Sequence, residues 1–200
     1  MNVHLNNNNA FESINHQLIN HQSINHQLIN HQSINHQSIN HQSITLKTGK
    51  ILQYRNCSER MQNIIAINMF EFWQKDFTEK DITNPMEVRN FILDNFKDKL
   101  NIFFVLFDDY GYFISTFAID TANKGPYISH LFVNKKLRGN GYGVKSLKLA
   151  EIYTKKLGFM MVNLWCEDYM IDFYKKNGYI IDKSIEINPS HIVWIMCKNV

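Results

Sequence analysis

Residues 127–158 read YISHLFVNKKLRGNGYGVKSLKLAEIYTKKLG. Tyr127–Val133 is an apolar, aromatic run of strand length. It passes through Asn134–Leu137 into Arg138-Gly139-Asn140-Gly141-Tyr142-Gly143, and a helix pattern follows over Val144–Leu157, ended by Gly158. Three glycines fall within five residues, in a chain with only eight. Glycine admits positive φ and lets a ligand approach the backbone closely. Successive N–H groups at a helix N-terminus, reinforced by the helix dipole, attract anions. The loop is therefore expected to cradle phosphate, and a pyrophosphate in particular. Leu147, Ala150, Thr154 and Leu157 form one stripe of the helix. Lys145, Lys148, Lys155 and Lys156 gather on the other side, with Leu149 and Ile152 among them. The glycine spacing differs from the dinucleotide fingerprint G-x-G-x-x-G, and no Lys-Ser/Thr follows the last glycine as in a P-loop. The plain structural alternative is a tight strand-to-helix turn.

Outward from this stretch, strand and helix signals alternate. Ile51–Arg55 reads as a short strand. Ser58 can cap a helix through Ile64, Ile65, Met69, Phe72 and Trp73. Asn84-Pro85 starts a second helix reaching Phe96, with Val88, Phe91 and Ile92 on one side. Ile102–Phe107 and Tyr112–Ile119 are strands, and Asp108–Gly111 between them reads as a hairpin turn. After the glycine-rich stretch come a strand over Met160–Trp165, a helix over Asp168–Lys176 with Gly178 beyond its end, and closing strands over Ile180–Ile187 and Ile192–Cys197. The order predicts an α/β or α+β sheet with helices on both faces.

Composition separates a different segment at the N-terminus. The chain holds 25 Asn and 25 Ile among 200 residues. Residues 1–45 contain one charged residue, Glu12, and one aromatic, Phe11. From Asn15 to Ile44 the pentapeptide NHQ(S/L)I repeats six times. Five residues turn a helix by about 140° and put successive side chains on alternate strand faces, so neither structure gathers one buried face. This segment is expected to be a low-complexity, disordered tail, with residues 46–200 as the folded domain. Its six evenly spaced histidines are read as repeat expansion, not as a metal site, since no scaffold fixes ligand geometry.

The net charge of +3 argues against a dedicated nucleic-acid surface. No run of 18 apolar residues signals a membrane span, and no basic-then-apolar start signals secretion. Three widely spaced cysteines (Cys57, Cys166, Cys197) suit free thiols in a reducing compartment, so a cytoplasmic location is expected.

A second block, Asp172-Phe173-Tyr174-Lys175-Lys176-Asn177-Gly178-Tyr179, completes a pattern. Together the two blocks resemble the GNAT superfamily of acyl-CoA-dependent N-acetyltransferases. Arg138-x-x-Gly141-x-Gly143 matches that family's pyrophosphate loop, Arg/Gln-x-x-Gly-x-Gly/Ala. Leu131-Phe132-Val133 matches the apolar strand before it, and Phe173-Tyr174-x-Lys176-x-Gly178-Tyr179 matches Phe-Tyr-x-Lys-x-Gly-Phe. The match is specific over about residues 126–182, and the element order agrees over 50–198. Departures occur where subgroups bind their acceptors. Ser129 and His130 replace the Glu-Asp pair of glucosamine-phosphate enzymes. Tyr127 and Ser129 replace the two histidines of arylalkylamine enzymes.

The resemblance implies a mostly antiparallel mixed sheet with a splayed strand pair for the cosubstrate, acetyl-CoA, and no metal. It implies cofactor contacts at Leu131, Phe132 and Val133, and at Arg138, Gly139, Asn140, Gly141, Tyr142, Gly143 and Val144. It implies direct attack of a primary amine on the thioester, whose carbonyl needs backbone donors. Tyr174 is the expected proton donor to the leaving thiolate, since a phenol is protonated at neutral pH. Glu167 and His130 are the candidate bases for the ammonium substrate, with a water chain as the alternative. The expected partner is an amine, small molecule or peptide, with no nucleic acid or membrane. A homodimer through the closing strands is compatible with the family. The alternatives in class are an acyl-CoA-binding module without turnover, and an interaction protein working through its repeat tail.

Overall fold

Short polar residues start the helices. The Ser58 hydroxyl accepts from the Met61 N–H, and α1 runs over Glu59–Phe72. The Asn84 side chain accepts from the Glu87 N–H ahead of α3, Pro85–Asn95, with proline in its first turn. Between them lies α2, Gln74–Thr78, a short helix outside the sequence expectation. The structure is a computed structural model describing residues 49–200, apart from 79, 98, 99, 123, 124, 189 and 190. The repeat tail expected over 1–45 lies outside the described residues.

Seven strands form one sheet: β1 Lys50–Gln53, β2 Asn101–Phe107, β3 Phe113–Asp120, β4 Tyr127–Val133, β5 Met161–Glu167, β6 Ile180–Asn188 and β7 His191–Asn199. Their spatial order is β1-β2-β3-β4-β5-β7-β6. Every neighbouring pair is antiparallel except β4 and β5. Two helices join the second half of the chain, α4 over Tyr142–Lys156 and α5 over Ile171–Lys176. This is the mixed, mostly antiparallel sheet that the resemblance implies, with the helices on both faces that the element order predicts. The Asp108–Gly111 turn is the expected hairpin, with the Asp108 carboxylate accepting from the Tyr110 and Tyr112 N–H groups.

Alternation along the strands divides the core in two. Phe104, Leu106, Phe117, Ile119, Leu164 and Met196 face α4 and α5, packing on Leu147, Leu149 and Ala150. Leu149 is buried despite its place among the lysines of α4, because β3 and β4 both meet that helix. One polar pair ties this layer together: the Ser115 and Ser146 hydroxyls are 2.6 Å apart and fully buried. On the other face Phe103, Val105, Phe113 and Phe132 pack on Ile65, Met69, Val88 and Ile92 of α1 and α3.

His130 belongs to this second layer. Its ring lies 5.3 Å from Phe96, 5.7 Å from Phe103 and 6.3 Å from both Trp73 and Phe91. Its Nδ1 is 2.9 Å from the Ser129 hydroxyl. Burial, with a smaller contribution from the Lys80 charge, pushes the imidazole down from 6.5 to about 4.

Two predictions follow from these placements. The unfolded chain protonates residue 130 below its ordinary value, whereas the folded protein resists protonation down to about 4. The neutral histidine's stability is thus fully present above about pH 6.5. It is lost as pH falls toward 4, by up to about 1.4 kcal/mol per unit. His130→Asn, which suits the left-handed backbone there, should flatten that part of a urea-derived stability–pH curve. Gly49 has φ +122°, and a β-carbon on it would stand 2.0 Å from the Phe107 carbonyl oxygen. Gly49→Ala should lower unfolding free energy by roughly 1–3 kcal/mol in the same assay.

Candidate active site

The site forms where β4 and β5 part. The two strands pair only at Tyr127 with Asn163 and Ile128 with Leu164. Past that point β4 is irregular. The β3 ladder slips between Thr116 and Ala118, and His130 adopts φ 51°. The Thr116 hydroxyl donates to the His130 carbonyl at 2.9 Å and holds the bulge in place. From Leu131 to Val133 the edge of β4 turned toward β5 is therefore outside that ladder. A bound extended chain can pair with it.

At the end of β4 the backbone enters the glycine-rich loop. Asn134 caps a short 3-10 turn over Lys135–Leu137. Gly139 and Gly141 have φ 80° and 76°, the left-handed values that favour glycine. Gly141 caps α4, so the first N–H groups of that helix, from Tyr142, Gly143 and Val144, have no acceptor in a preceding turn. The loop's polar side chains bind the loop itself. Arg138 Nε donates to the Val133 carbonyl at 3.1 Å, and its guanidinium stacks 4.3 Å from the Phe72 ring centre. Asn140 donates to the carbonyls of Leu137 and Arg138. Backbone donors at the start of α4 therefore carry the capacity to hold an anion.

Gly143 has a different role from its two neighbours. Its φ is not positive, but a β-carbon there would lie 3.5 Å from the Phe173 ring. Phe173 belongs to α5, so the two sequence blocks 30 residues apart touch at this glycine. The next residue, Tyr174, is buried. Its ring is 5.0 Å from Phe173 and 5.7 Å from Tyr179. Burial first, then the neighbouring Cys166 and Tyr169, push its phenol well above the usual range. Tyr174 thus holds its proton at neutral pH.

Cys166 and Glu167 end β5 and point to opposite faces. Cys166 packs with Tyr174 in the α4–α5 core, and burial raises its thiol to about 11, which leaves no thiolate at neutral pH. Glu167 faces the other way and is half-exposed. Both of its oxygens lie 3.0 Å from His191 Nε2, on the first residue of β7. His191 stands outside the motif-based reading. The signal that could have found it is the antiparallel register of β5 and β7, which sets Glu167 opposite Val193, two residues along from His191. His130, by contrast, lies among aromatic rings. Of the residues read from sequence, Leu131–Val133, the loop, Gly143 and Tyr174 come together around one gap, with Glu167 on its far side.

A cavity of about 460 Å³ lies at the opposite edge of the sheet, by Lys50, Cys57, Met61 and Phe107, and includes none of these groups. Among the described residues no helix is long and apolar enough to cross a membrane, and Cys57, Cys166 and Cys197 are free thiols.

The fold has many solved counterparts. An aminoglycoside 6'-N-acetyltransferase complexed with coenzyme A superposes with TM-score 0.63 at 12% identity, covering 74% of this chain and 96% of that one. An aminoglycoside 6'-acetyltransferase type Ii gives 0.59 at 16%, covering 74% and 96%. The spermidine/spermine N-acetyltransferase SpeG from Vibrio cholerae gives 0.57 at 12%, covering 76% and 93%. These likenesses establish the fold. No curated protein matches the chain by sequence. The profile of the acetyltransferase (GNAT) family matches residues 66–179, which take in the glycine-rich loop, the β4–β5 gap and Tyr174. The chain belongs to the acetyltransferase (GNAT) family, the N-acetyltransferases.

Proposed function

We propose that the protein moves an acetyl group from acetyl-CoA to a primary amine by direct attack. The observation that carries this reading is the convergence, at one gap, of a backbone anion site and a buried neutral phenol. Acetyl-CoA, as cosubstrate, supplies the activated acetyl thioester. Its pyrophosphate rests on the N–H groups of Tyr142, Gly143 and Val144, in the loop shaped by Arg138, Gly139, Asn140 and Gly141. The pantetheine runs along Leu131, Phe132 and Val133. That leaves the thioester between β4 and β5, where main-chain N–H groups off the ladder can hold the carbonyl oxygen.

Tyr174 protonates the departing thiolate. Its raised phenol keeps the proton available across the neutral range. The nucleophile is the amine itself, since the Cys166 thiol is protonated and faces the core. The amine must lose a proton first, because an alkylammonium has an ordinary pKa near ~10. Of the two candidate bases, Glu167 is the one on the exposed face at the end of β5, in contact with His191. His130, whose ring lies among those of Trp73, Phe91, Phe96 and Phe103, is assigned a packing role.

Known substrates of the structural neighbours are amines, aminoglycosides for one and spermidine or spermine for another. An amine acceptor for this chain accords with them. Coenzyme A should raise the thermal midpoint of the protein, since a ligand at 100 times its Kd adds about 2.7 kcal/mol. An acetyl-CoA consumption screen over polyamines, amino sugars, arylalkylamines and peptides should find turnover. Tyr174→Phe should then lower kcat by roughly 10²-fold and leave the coenzyme A stabilisation intact. Absence of stabilisation by coenzyme A would overturn the reading. Stabilisation without turnover on any amine would favour a non-catalytic acyl-CoA-binding module. Removal of residues 1–45 should leave activity near full, against a role that resides in the repeat tail.

A further inference from the structure

We propose that His191, at the start of β7, is the base that takes the proton from the acceptor ammonium, and that Glu167 is its positioning residue. This rests on the transferase reading above and adds a residue to it. The geometry is specific. One imidazole nitrogen, Nε2, lies 3.0 Å from each oxygen of the Glu167 carboxylate. A carboxylate only accepts hydrogen bonds, so Nε2 must carry a hydrogen. In the neutral ring the lone pair is then on Nδ1, on the other side of the imidazole. Glu167 thus fixes the tautomer and ring orientation, the same logic by which a buried carboxylate orients a catalytic histidine in hydrolases. With both oxygens already shared with one N–H, Glu167 is better suited to hold a base than to be one.

The location supports the role. Successive residues of a strand face opposite ways, and the β5–β7 pairing sets Glu167 opposite Val193 and Cys166 opposite Trp194. Tyr174 packs with Cys166 on the α4–α5 side. Glu167 stands on the other face at the end of β5, the strand that borders the gap, and His191 of the neighbouring β7 is held against it. The acid therefore serves the sulfur from one face, and the base serves the nitrogen from the other. His191 and Glu167 are each more than a third exposed, so a proton collected there can pass to water. Other charged groups near His191 along the sheet are Glu186 of β6, opposite Ile192, and Asp168, whose carboxylate accepts from the Trp194 indole. Asn188 of β6 lies directly opposite His191.

The proton accounting closes. His191 Nδ1 takes one proton from the ammonium, freeing the lone pair that forms the C–N bond. As the C–S bond breaks, its electron pair goes to sulfur and Tyr174 protonates it. The nitrogen's second proton leaves through water and restores Tyr174, while the proton on His191 goes to solution. The sum is amide, free thiol and one released proton.

The test compares two amines that differ in basicity, butylamine and methoxyamine, at neutral pH with saturating acetyl-CoA. Butylamine arrives protonated and methoxyamine arrives neutral. His191→Gln should lower kcat/KM for butylamine by roughly 10²-fold and for methoxyamine by less than about threefold. Glu167→Gln should show the same selectivity with a smaller loss. Equal losses on both amines, or none, would overturn the base assignment while leaving the transferase intact. A wild type that binds coenzyme A and acetylates neither of these amines nor any amine of the screen above would overturn the transferase reading and this proposal with it. A readout independent of turnover is nitrogen NMR of the ligand-free wild-type protein. Neutral His191 should carry its proton on Nε2, and Glu167→Gln should weaken that preference. A proton resident on Nδ1 in the wild type would overturn the proposal without recourse to any variant.

Discussion

The parting of β4 and β5 is the constraint on which the rest of this structure depends. Two adjacent parallel strands ordinarily pair along their length, because each unpaired N–H or carbonyl in a dry interior is costly. Here the ladder stops after Tyr127–Asn163 and Ile128–Leu164. The bulge in β4 brings this about. His130 takes a left-handed backbone, its carbonyl is captured by Thr116, and the strand beyond turns with β3. Helices pack around the head of the gap. The Ser115–Ser146 pair ties α4 to β3, while Phe173 of α5 rests on Gly143 at the head of α4. The gap is thus a built feature with a side wall on each strand.

The same constraint decides where charges can be handled. A sheet without a gap would separate the two helical layers completely. With the gap, a thioester placed between the strands is reachable from both faces, and the side chains at the end of β5 alternate between them. Tyr174, above Cys166, is buried in apolar surroundings that keep a phenol neutral. Glu167 and His191 sit in a wetter place, where an ionised carboxylate and a transient imidazolium are tolerable. A proton donor needs the first environment and a proton acceptor with an exit to solvent needs the second. In the reading proposed above, the period of two at the end of β5 sorts these environments, with Tyr174 of α5 packed on Cys166 and His191 of β7 against Glu167.

Much of this was legible in the residues and some was not, for identifiable reasons. The loop could be read because positive φ leaves a chemical mark: Gly139 and Gly141 occupy left-handed positions that other residues disfavour. Ser58, Asn84 and the Asp108–Gly111 turn could be read because capping and turn hydrogen bonds are local. The Glu167–His191 contact spans 24 residues and depends on the β5–β7 register, which no local signal encodes. The short helix Gln74–Thr78 lacks the length to show a period. His130 reads as a candidate base from its place before Leu131, and its surroundings could not be read from the sequence. Its environment is made by Trp73, Phe91, Phe96 and Phe103, which come from three separate elements or their ends.

Arg138 shows how a motif residue can act at one remove from the group the motif binds. Its charge would suit a phosphate, yet its guanidinium lies over Phe72 and Phe132 and its Nε is taken by the Val133 carbonyl. Phe72 ends α1, so this stack fastens the first helix to the glycine-rich loop. Cation–π contacts of this kind contribute about 0.5–1 kcal/mol at exposed sites, enough to bias a loop but not to fold a domain. The consequence is a division of labour. In the reading proposed above, the backbone of α4 holds the anion and the arginine holds the backbone. The wall formed by Phe72, Trp73 and Phe132 thereby belongs to the loop on one side and to the helices that flank the acceptor side of the sheet on the other. The glycine-rich loop and the α1 end therefore share that wall, so an arrangement that orders one orders the other.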